Sequence, residues 1–396
     1  VESEAADPLR WLDGAVQGQA VTTALAPCLA SSCRALSPFF DDEDRRLDDE
    51  CARIVPANVD HLHGAEVGTR LGAMGLFAHI APAVRVRSLC VVRERLAYVS
   101  PVADSVFAVQ GLATHPLLLA ADAKWRAVID DAIAGKRIGG FALTEPEAGS
   151  DVGSMRSVAR RDGDGWSIDG DKTFISNVGI ADFFVVFANA DPAAGKKGIS
   201  AFFVAKDAPG LTLEAIETID AHPLGRLTMR GCKAALVGDV GRGLRFALGT
   251  LDVFRTSVGA AANGMAMRAL DEALAHVRRR VQFGKPLADF QLVQGALAEM
   301  VTDLDAARLL VARAAWAKGT ANEQPSDVAM AKMFATEAAQ RVIDRAVQLF
   351  GGLGVVRGVP VEALYRSVRA LRIYEGTTEI QKLIIGGALA KGSGDS

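Results

Sequence analysis

Asp162-Gly163-Asp164-Gly165-Trp166-Ser167-Ile168-Asp169-Gly170-Asp171 decides how the middle of this chain is read. Trp166 to Asp169 is a short β-prone run, and a cluster of turn-forming residues bounds it on each side. The same alternation continues outward. Phe174-Ile175, Phe183–Ala188, Ile199–Ala205 and Leu211–Ile216 are further strand-sized runs separated by turn residues. Strands that follow one another without intervening helices predict an antiparallel sheet or barrel rather than a βαβ sheet. Gly238-Asp239-Val240-Gly241-Arg242-Gly243 reads as a connecting turn.

The flanks have a different period. Phe290, Val293, Leu297, Met300, Leu304, Ala307, Val311 and Ala314 recur at alternating steps of three and four residues, which places them on one face of a long helix. Met330, Phe334, Ala338, Val342, Ala346 and Leu349 mark a second helix, starting after Pro325-Ser326-Asp327 and stopping at Gly351-Gly352. Leu251–Val277 supplies a third, opened by Leu251-Asp252-x-x-Arg255. Upstream, Glu43–Leu76 reads as helix, loop and helix, and Leu117–Ile133 as one helix. The predicted fold class is α+β, mainly α. It has an N-terminal helical domain over 1–139, a middle antiparallel β domain over 140–243 and a C-terminal helical bundle domain over 244–396.

Composition bounds the function classes. The 396 residues carry 44 Lys and Arg against 47 Asp and Glu, a net charge of −3, which suggests neither nucleic acid nor an anionic membrane as partner. No apolar run reads as long enough to cross a bilayer. The acidic start Val1–Pro8 has no apolar signal core, and the end Gly392-Ser393-Gly394-Asp395-Ser396 reads as a polar tail. The expected location is the bacterial cytoplasm. Five cysteines (Cys28, Cys33, Cys51, Cys90 and Cys232) are never spaced as CxxC, and no cluster completes a metal site around His61-x-His63. No metal is expected. There is no GxGxxG opening a helix after a strand and no Walker loop, so pattern alone predicts no dinucleotide.

Four segments change that reading. They are Phe141-Ala142-Leu143-Thr144-Glu145-Pro146-Glu147-Ala148-Gly149-Ser150-Asp151; Arg280-Val281-Gln282-Phe283-Gly284-Lys285-Pro286-Leu287 with Phe290-Gln291; Gln348-Leu349-Phe350-Gly351-Gly352-Leu353-Gly354 with Pro360-Val361-Glu362 and Arg366; and Ile373-Tyr374-Glu375-Gly376-Thr377-Thr378-Glu379-Ile380-Gln381. Together, in order and spacing from about residue 110 to the end, they resemble the signatures of the acyl-CoA dehydrogenase family. The resemblance implies that the C-terminal domain is a four-helix bundle. It also implies that FAD lies between domains and subunits, which accounts for the missing glycine loop. The implied assembly is a homotetramer or homodimer, and the implied electron acceptor an electron-transferring flavoprotein.

The implied reaction is α,β-dehydrogenation of a short or medium acyl-CoA. The α-proton needs a base and the β-hydrogen a hydride acceptor, which no side chain provides. Glu375 resembles the base. It stands just before a helix whose start carries the pattern of a capping box, Thr378-x-x-Gln381. By the same resemblance Thr144 and Ser176 hydrogen-bond the flavin ring and Phe174 packs against it. Arg280, Phe283, Gln291, Gln348 and Gly352 reach the FAD of a neighbouring subunit, and Thr377 and Glu379 are further FAD contacts. Ser150, Asp252 and Arg255 resemble CoA contacts, with Tyr374 and Gly376 beside the substrate and Ser150 near both ligands. Three departures stand out: Phe174-Ile175-Ser176 replaces the usual Trp-x-Thr, the loop from His222 to Gly238 is shorter than the usual family stretch, and Ser367 stands where an Asp is common after Arg366. The open alternatives are a carrier-protein-bound acyl substrate, a flavin oxidase or monooxygenase on the same fold, and a non-catalytic binding subunit.

Overall fold

The computed structural model describes residues 36, 38–59 and 62–391. Cys28, Cys33 and His61 lie outside the described residues. The first helices are α1 (Asp42–Val59), α2 (Ala65–Ala73), α3 (Val86–Val99), α4 (Pro101–Ala120) and α5 (Arg126–Ile133). Ser100 starts α4 by accepting a hydrogen bond from the Ala103 N–H, with Pro101 in the first turn. The single helix read over Leu117–Ile133 is in fact two. Ala121 ends α4 in a left-handed conformation (φ 51°), and the Asp122 carboxylate takes the Lys124 N–H at 3.0 Å to start a separate short turn before α5. Helix α4 is also the one described helix long and apolar enough by composition to cross a bilayer, contrary to the sequence reading. It is a core helix, with 78% of its most apolar window buried inside the protein.

Seven strands follow: β1 (Gly139–Ala142), β2 (Val158–Asp162), β3 (Gly165–Ser176), β4 (Phe183–Asn189), β5 (Ile199–Ala205), β6 (Leu211–Ala215) and β7 (Leu224–Val237). They pair in the order β1-β4-β2-β3-β7-β5, and β5 returns to β4, so five strands close into a ring with β1 and β6 outside it. Most pairings are antiparallel, but β1 runs parallel to β4, and β2 touches β4 in parallel at Val158 and Asn189. The expectation of a wholly antiparallel domain is corrected on this point. Parallel neighbours need a long connection instead of a tight turn, and residues 143–182 supply it between β1 and β4. The loop read over His222 to Gly238 is the long strand β7. Its buried Leu227, Met229 and Cys232 are diluted by exposed Arg and Lys on the other face, which hid its alternation. Strand β4 reads as one apolar run because both of its faces are covered. Phe184 and Val186 pack inside the barrel, while Phe183, Val185 and Phe187 pack against helices through Leu117, Trp125 and Phe246.

Helix α6 (Gly243–Arg279) begins well before Leu251, so Asp252 and Arg255 sit inside it and do not open it. A two-stranded turn, β8 (Val281–Gln282) and β9 (Lys285–Pro286), leads to α7 (Gln291–Ala317) and α8 (Pro325–Phe350). Helix α8 starts at Pro325 itself, earlier than the sequence reading placed it. Short α9 (Pro360–Val368) and α10 (Thr378–Lys391) complete the chain. Apolar residues of α6, α7 and α8 form one core with those of α9. Gly264 lets α6 lie directly on α3: a Cβ there would stand 2.1 Å from the Glu94 carbonyl oxygen.

Buried charge ties these layers together. Glu94 on α3 pairs with Arg308 on α7 at 2.8 Å. Arg93 on α3 holds Asp104 on α4 through two bonds of 2.8 and 2.9 Å. Lys172 on β3 donates to Glu145 at 2.8 Å and to the Leu143 carbonyl at 3.1 Å, while Glu145 also accepts the Arg156 and Ser157 N–H groups. Removing one partner of such a pair strands the other charge. Lys172→Met is therefore expected to cost about 3–5 kcal/mol of stability, measured by chemical denaturation.

His115 gives a separate prediction. It is buried between Thr250, 3.0 Å from its Nδ1, and the Phe254 ring, and burial pulls its imidazole down to about 4 from an ordinary 6.5. The unfolded chain then binds the extra proton between pH 6.5 and 4, so stability falls as pH drops through that window. The loss approaches roughly 3 kcal/mol. His115→Gln should flatten that part of a stability-against-pH curve.

Candidate active site

The turn between Arg372 and α10 carries the base predicted from the sequence. Glu375 has a positive φ of 52° and Gly376 one of 92°, so the chain doubles back through two left-handed residues in succession. Such a turn is costly for a residue with a side chain and needs holding. Three bonds hold it. Arg255 on α6 donates from Nε to the Glu375 carbonyl at 3.1 Å. Lys332 on α8 donates from Nζ to the Gly376 carbonyl at 2.8 Å. Gln381 on α10 donates from Nε2 to the same Gly376 carbonyl at 2.9 Å.

The capping arrangement differs from the one read in the sequence. Thr377, not Thr378, accepts the Ile380 N–H, at 3.3 Å. The Thr378 hydroxyl instead donates to Glu337 at 2.8 Å, and Arg372 pairs with the same carboxylate at 2.8 Å. The turn is therefore anchored to α8 on both sides of Gly376.

The carboxyl of Glu375 is enclosed, and its Oε2 has no hydrogen-bond partner among the described residues. Burial raises its pKa above the usual carboxylate range, against the pull of Arg93, Arg255 and Lys332. Tyr374 beside it is pushed up by burial.

On the sheet, the Thr173 N–H donates to the Thr144 carbonyl at 3.0 Å, which sets Thr144 beside the end of β3. Lys172 and Glu145 fix this junction from within the protein. Phe174 follows with a positive φ of 55° and its ring 62% exposed, an unusual posture for a strand aromatic. The Ser176 hydroxyl lies 2.7 Å from His222 Nε2, in the segment between β6 and β7. Burial lowers the pKa of His222, and its Nδ1 is enclosed without a partner among the described residues.

That segment reaches the helices as well. Ser367 donates to Asp220 at 2.7 Å, and Arg366 donates to the Ile219 carbonyl at 2.8 Å. The carboxylate expected after Arg366 is thus supplied from the β domain.

The remaining site residues fall into groups. Tyr374, Gly376, Thr377 and Arg255 gather around Glu375. Arg255 is occupied by the backbone of the base, whereas Asp252 is turned away to Lys318 at 2.5 Å. Ser150 is exposed after β1, and Glu379 is exposed in the first turn of α10. Arg280, Phe283 and Gln291 are exposed where α6 gives way to α7, with Phe283 94% exposed and at φ 51°. Gln348 and Gly352 are exposed at the end of α8. His276 stacks on Phe350 at 4.2 Å, so these last two groups share one end of the bundle.

Sequence reasoning missed Lys332, His222 and the Arg93–Asp104 pair. For Lys332 a signal existed. It lies on the helix face of Val328, Ala335 and Ala339, where a cation has no solvent to meet.

Comparison with known proteins agrees with this architecture. Residues 140–232 match the acyl-CoA dehydrogenase middle domain and residues 241–390 the acyl-CoA dehydrogenase C-terminal domain. A probable acyl-CoA dehydrogenase of Mycobacterium tuberculosis is 36% identical over 359 residues, 88% of this chain and 90% of that protein. The human short-chain specific acyl-CoA dehydrogenase is 42% identical over 263 residues, 65% of this chain and 64% of that protein. Among solved structures, butyryl-CoA dehydrogenase of Megasphaera elsdenii aligns with a TM-score of 0.81 and 30% identity, over 89% of this chain and 99% of that one. On these matches, and with the fold they share, the chain belongs to the acyl-CoA dehydrogenase family of flavin-dependent oxidoreductases.

Proposed function

We propose that this protein dehydrogenates a short or medium acyl-CoA to the trans-2-enoyl-CoA, with Glu375 as the base. The observation that carries the reading is the enclosed Glu375 carboxylate, unpartnered at Oε2 and raised above its ordinary pKa, on a turn held from two helices. A carboxylate out of water is a stronger base than one in solution. The neighbouring Arg93, Arg255 and Lys332 favour its ionised form in the resting site.

The residues on the sheet fit a flavin. Phe174 offers an exposed aromatic face, Thr144 and Ser176 offer hydroxyls close to it in sequence and fold, and His222 orients the Ser176 hydroxyl. These residues would hold the ring, and bound FAD contributes the acceptor for the β-hydride. The chain's own part is to place the thioester, exclude water from the α-carbon and take the α-proton onto the Glu375 carboxylate. Proton to Glu375 and hydride to the acceptor leave a double bond between the α- and β-carbons. Gly376 and Tyr374 flank the substrate in this reading, Ser150 and Arg255 are the contacts towards CoA, and Asp252 is engaged by Lys318 instead.

The exposed Arg280, Phe283, Gln291, Gln348 and Gly352, together with Thr377 and Glu379, would complete FAD sites across a homotetramer or homodimer. The redox partner is an electron-transferring flavoprotein. A structure reported under the description of such a protein, from Acidaminococcus fermentans, shares the fold at a TM-score of 0.83 and 29% identity.

The test is an anaerobic visible spectrum of purified protein before and after a panel of acyl-CoA esters. Yellow protein bleached by short esters is the expected result. Yellow protein bleached by no CoA ester would overturn the substrate assignment. Glu375→Gln is expected to slow bleaching by about 10²–10⁴-fold while the protein stays yellow. The wild-type rate should also fall as pH drops through the raised pKa of Glu375, because only the ionised carboxylate accepts the proton.

A further inference from the structure

Four cations are completely buried among the described residues: Arg93, Lys172, Arg308 and Lys332. The first three sit in direct ion pairs with Asp104, Glu145 and Glu94. Lys332 does not. Its Nζ is bonded to the backbone carbonyl of Gly376, and the carboxylate that acts on it most strongly is that of Glu375. Burying an ammonium ion without a paired anion is expensive. The helix face of Val328, Ala335 and Ala339 could be filled by an apolar side chain at no such cost. Lys332 therefore has a use beyond packing, and the hydrogen bond its ammonium makes among the described residues points to the turn of the base.

We propose that Lys332 is a positioning residue for Glu375: its ammonium pins the Gly376 carbonyl and supplies the positive charge that keeps the enclosed carboxylate ionised. The inference rests on Glu375 being the base. The role divides between two cations. Arg255 secures the carbonyl of the Glu375–Gly376 peptide and Lys332 that of the next peptide, Gly376–Thr377, so neither can rotate without breaking a charge-assisted bond.

Glu375 faces Arg93 from α3, Asp104 from α4, Arg255 from α6 and Lys332 from α8. Arg93 is largely spent on Asp104, whereas Lys332 has no ion pair among the described residues. Lys332 in turn faces Glu375, Arg255, Glu337 and Glu379. Burial brings the lysine down to about 8, so it is charged at neutral pH and surrenders that charge only in mildly alkaline solution.

The test reads Glu375 directly and needs no turnover. In flavin-loaded protein, infrared difference spectra across a pH series follow the protonated carboxyl band of Glu375, assigned by its loss in Glu375→Gln. Lys332→Met and Lys332→Gln should each make Glu375 a weaker acid by about tenfold or more, while Lys332→Arg stays near wild type. The glutamine variant keeps a donor for the Gly376 carbonyl, so it separates charge from tethering. A wild-type Glu375 midpoint in both neutral variants would overturn the proposal. A lowered melting temperature with that midpoint unmoved would do the same, marking Lys332 as a support of the core. Because the band is read without substrate, a failure of the acyl-CoA assignment shows separately, as wild-type protein that no ester bleaches.

Discussion

Two consecutive peptide carbonyls, those of Glu375 and Gly376, are taken by cations from two different helices. This constraint organises the candidate site. The turn they hold is left-handed at both residues and cannot be maintained by local preference alone. Its stability is borrowed from α6 and α8, two long helices of the bundle, which are themselves locked by a common apolar core. The base is thus on a loop by sequence but on a rigid frame by contact. The same frame explains how a carboxylate can be kept out of water without collapsing onto a partner. Its neighbours are already committed elsewhere, Arg93 to Asp104 and Arg255 to a carbonyl.

The sheet and the bundle are joined by hydrogen bonds from one short segment whose contacts no local pattern encodes. Between β6 and β7, His222 reaches the Ser176 hydroxyl on one side, while Asp220 and Ile219 meet Ser367 and Arg366 on the other. Any shift of the barrel against α9 must pass through these bonds. Two of the departures from the family pattern noted in the sequence, at Ser176 and Ser367, are the hydroxyls this segment binds. The replacements therefore form a matched pair joined through one stretch of chain.

How much of this was legible in the sequence follows from where the information lies. Helices α7 and α8 were readable because each buries one face at helical spacing, and β4 and β5 because they are dense apolar runs. Strand β7 was not, since half of its residues face solvent and include arginine and lysine. The parallel pairing of β1 with β4 depends on a contact between residues about forty apart, which no local pattern encodes. Of the site, Glu375 and its turn were named from motif resemblance alone. The residues that hold the turn were divided: Arg255 was named for a different role, and Lys332 was hidden as one polar letter in an apolar face. The capping threonine was misplaced by a single residue because Thr377 and Thr378 are adjacent and chemically identical, and only the three-dimensional position of Glu337 separates them.

Ring closure in the β domain has a consequence for how copies of this chain behave in company. Five of the seven strands have neighbours on both sides, and the two that stand outside the ring, β1 and β6, are four and five residues long. An unsatisfied row of backbone groups recruits strands from other molecules in proportion to its length and flatness. The two outer strands therefore offer a foreign strand only four or five residues to pair with, so the closed ring confines these outer edges to short rows.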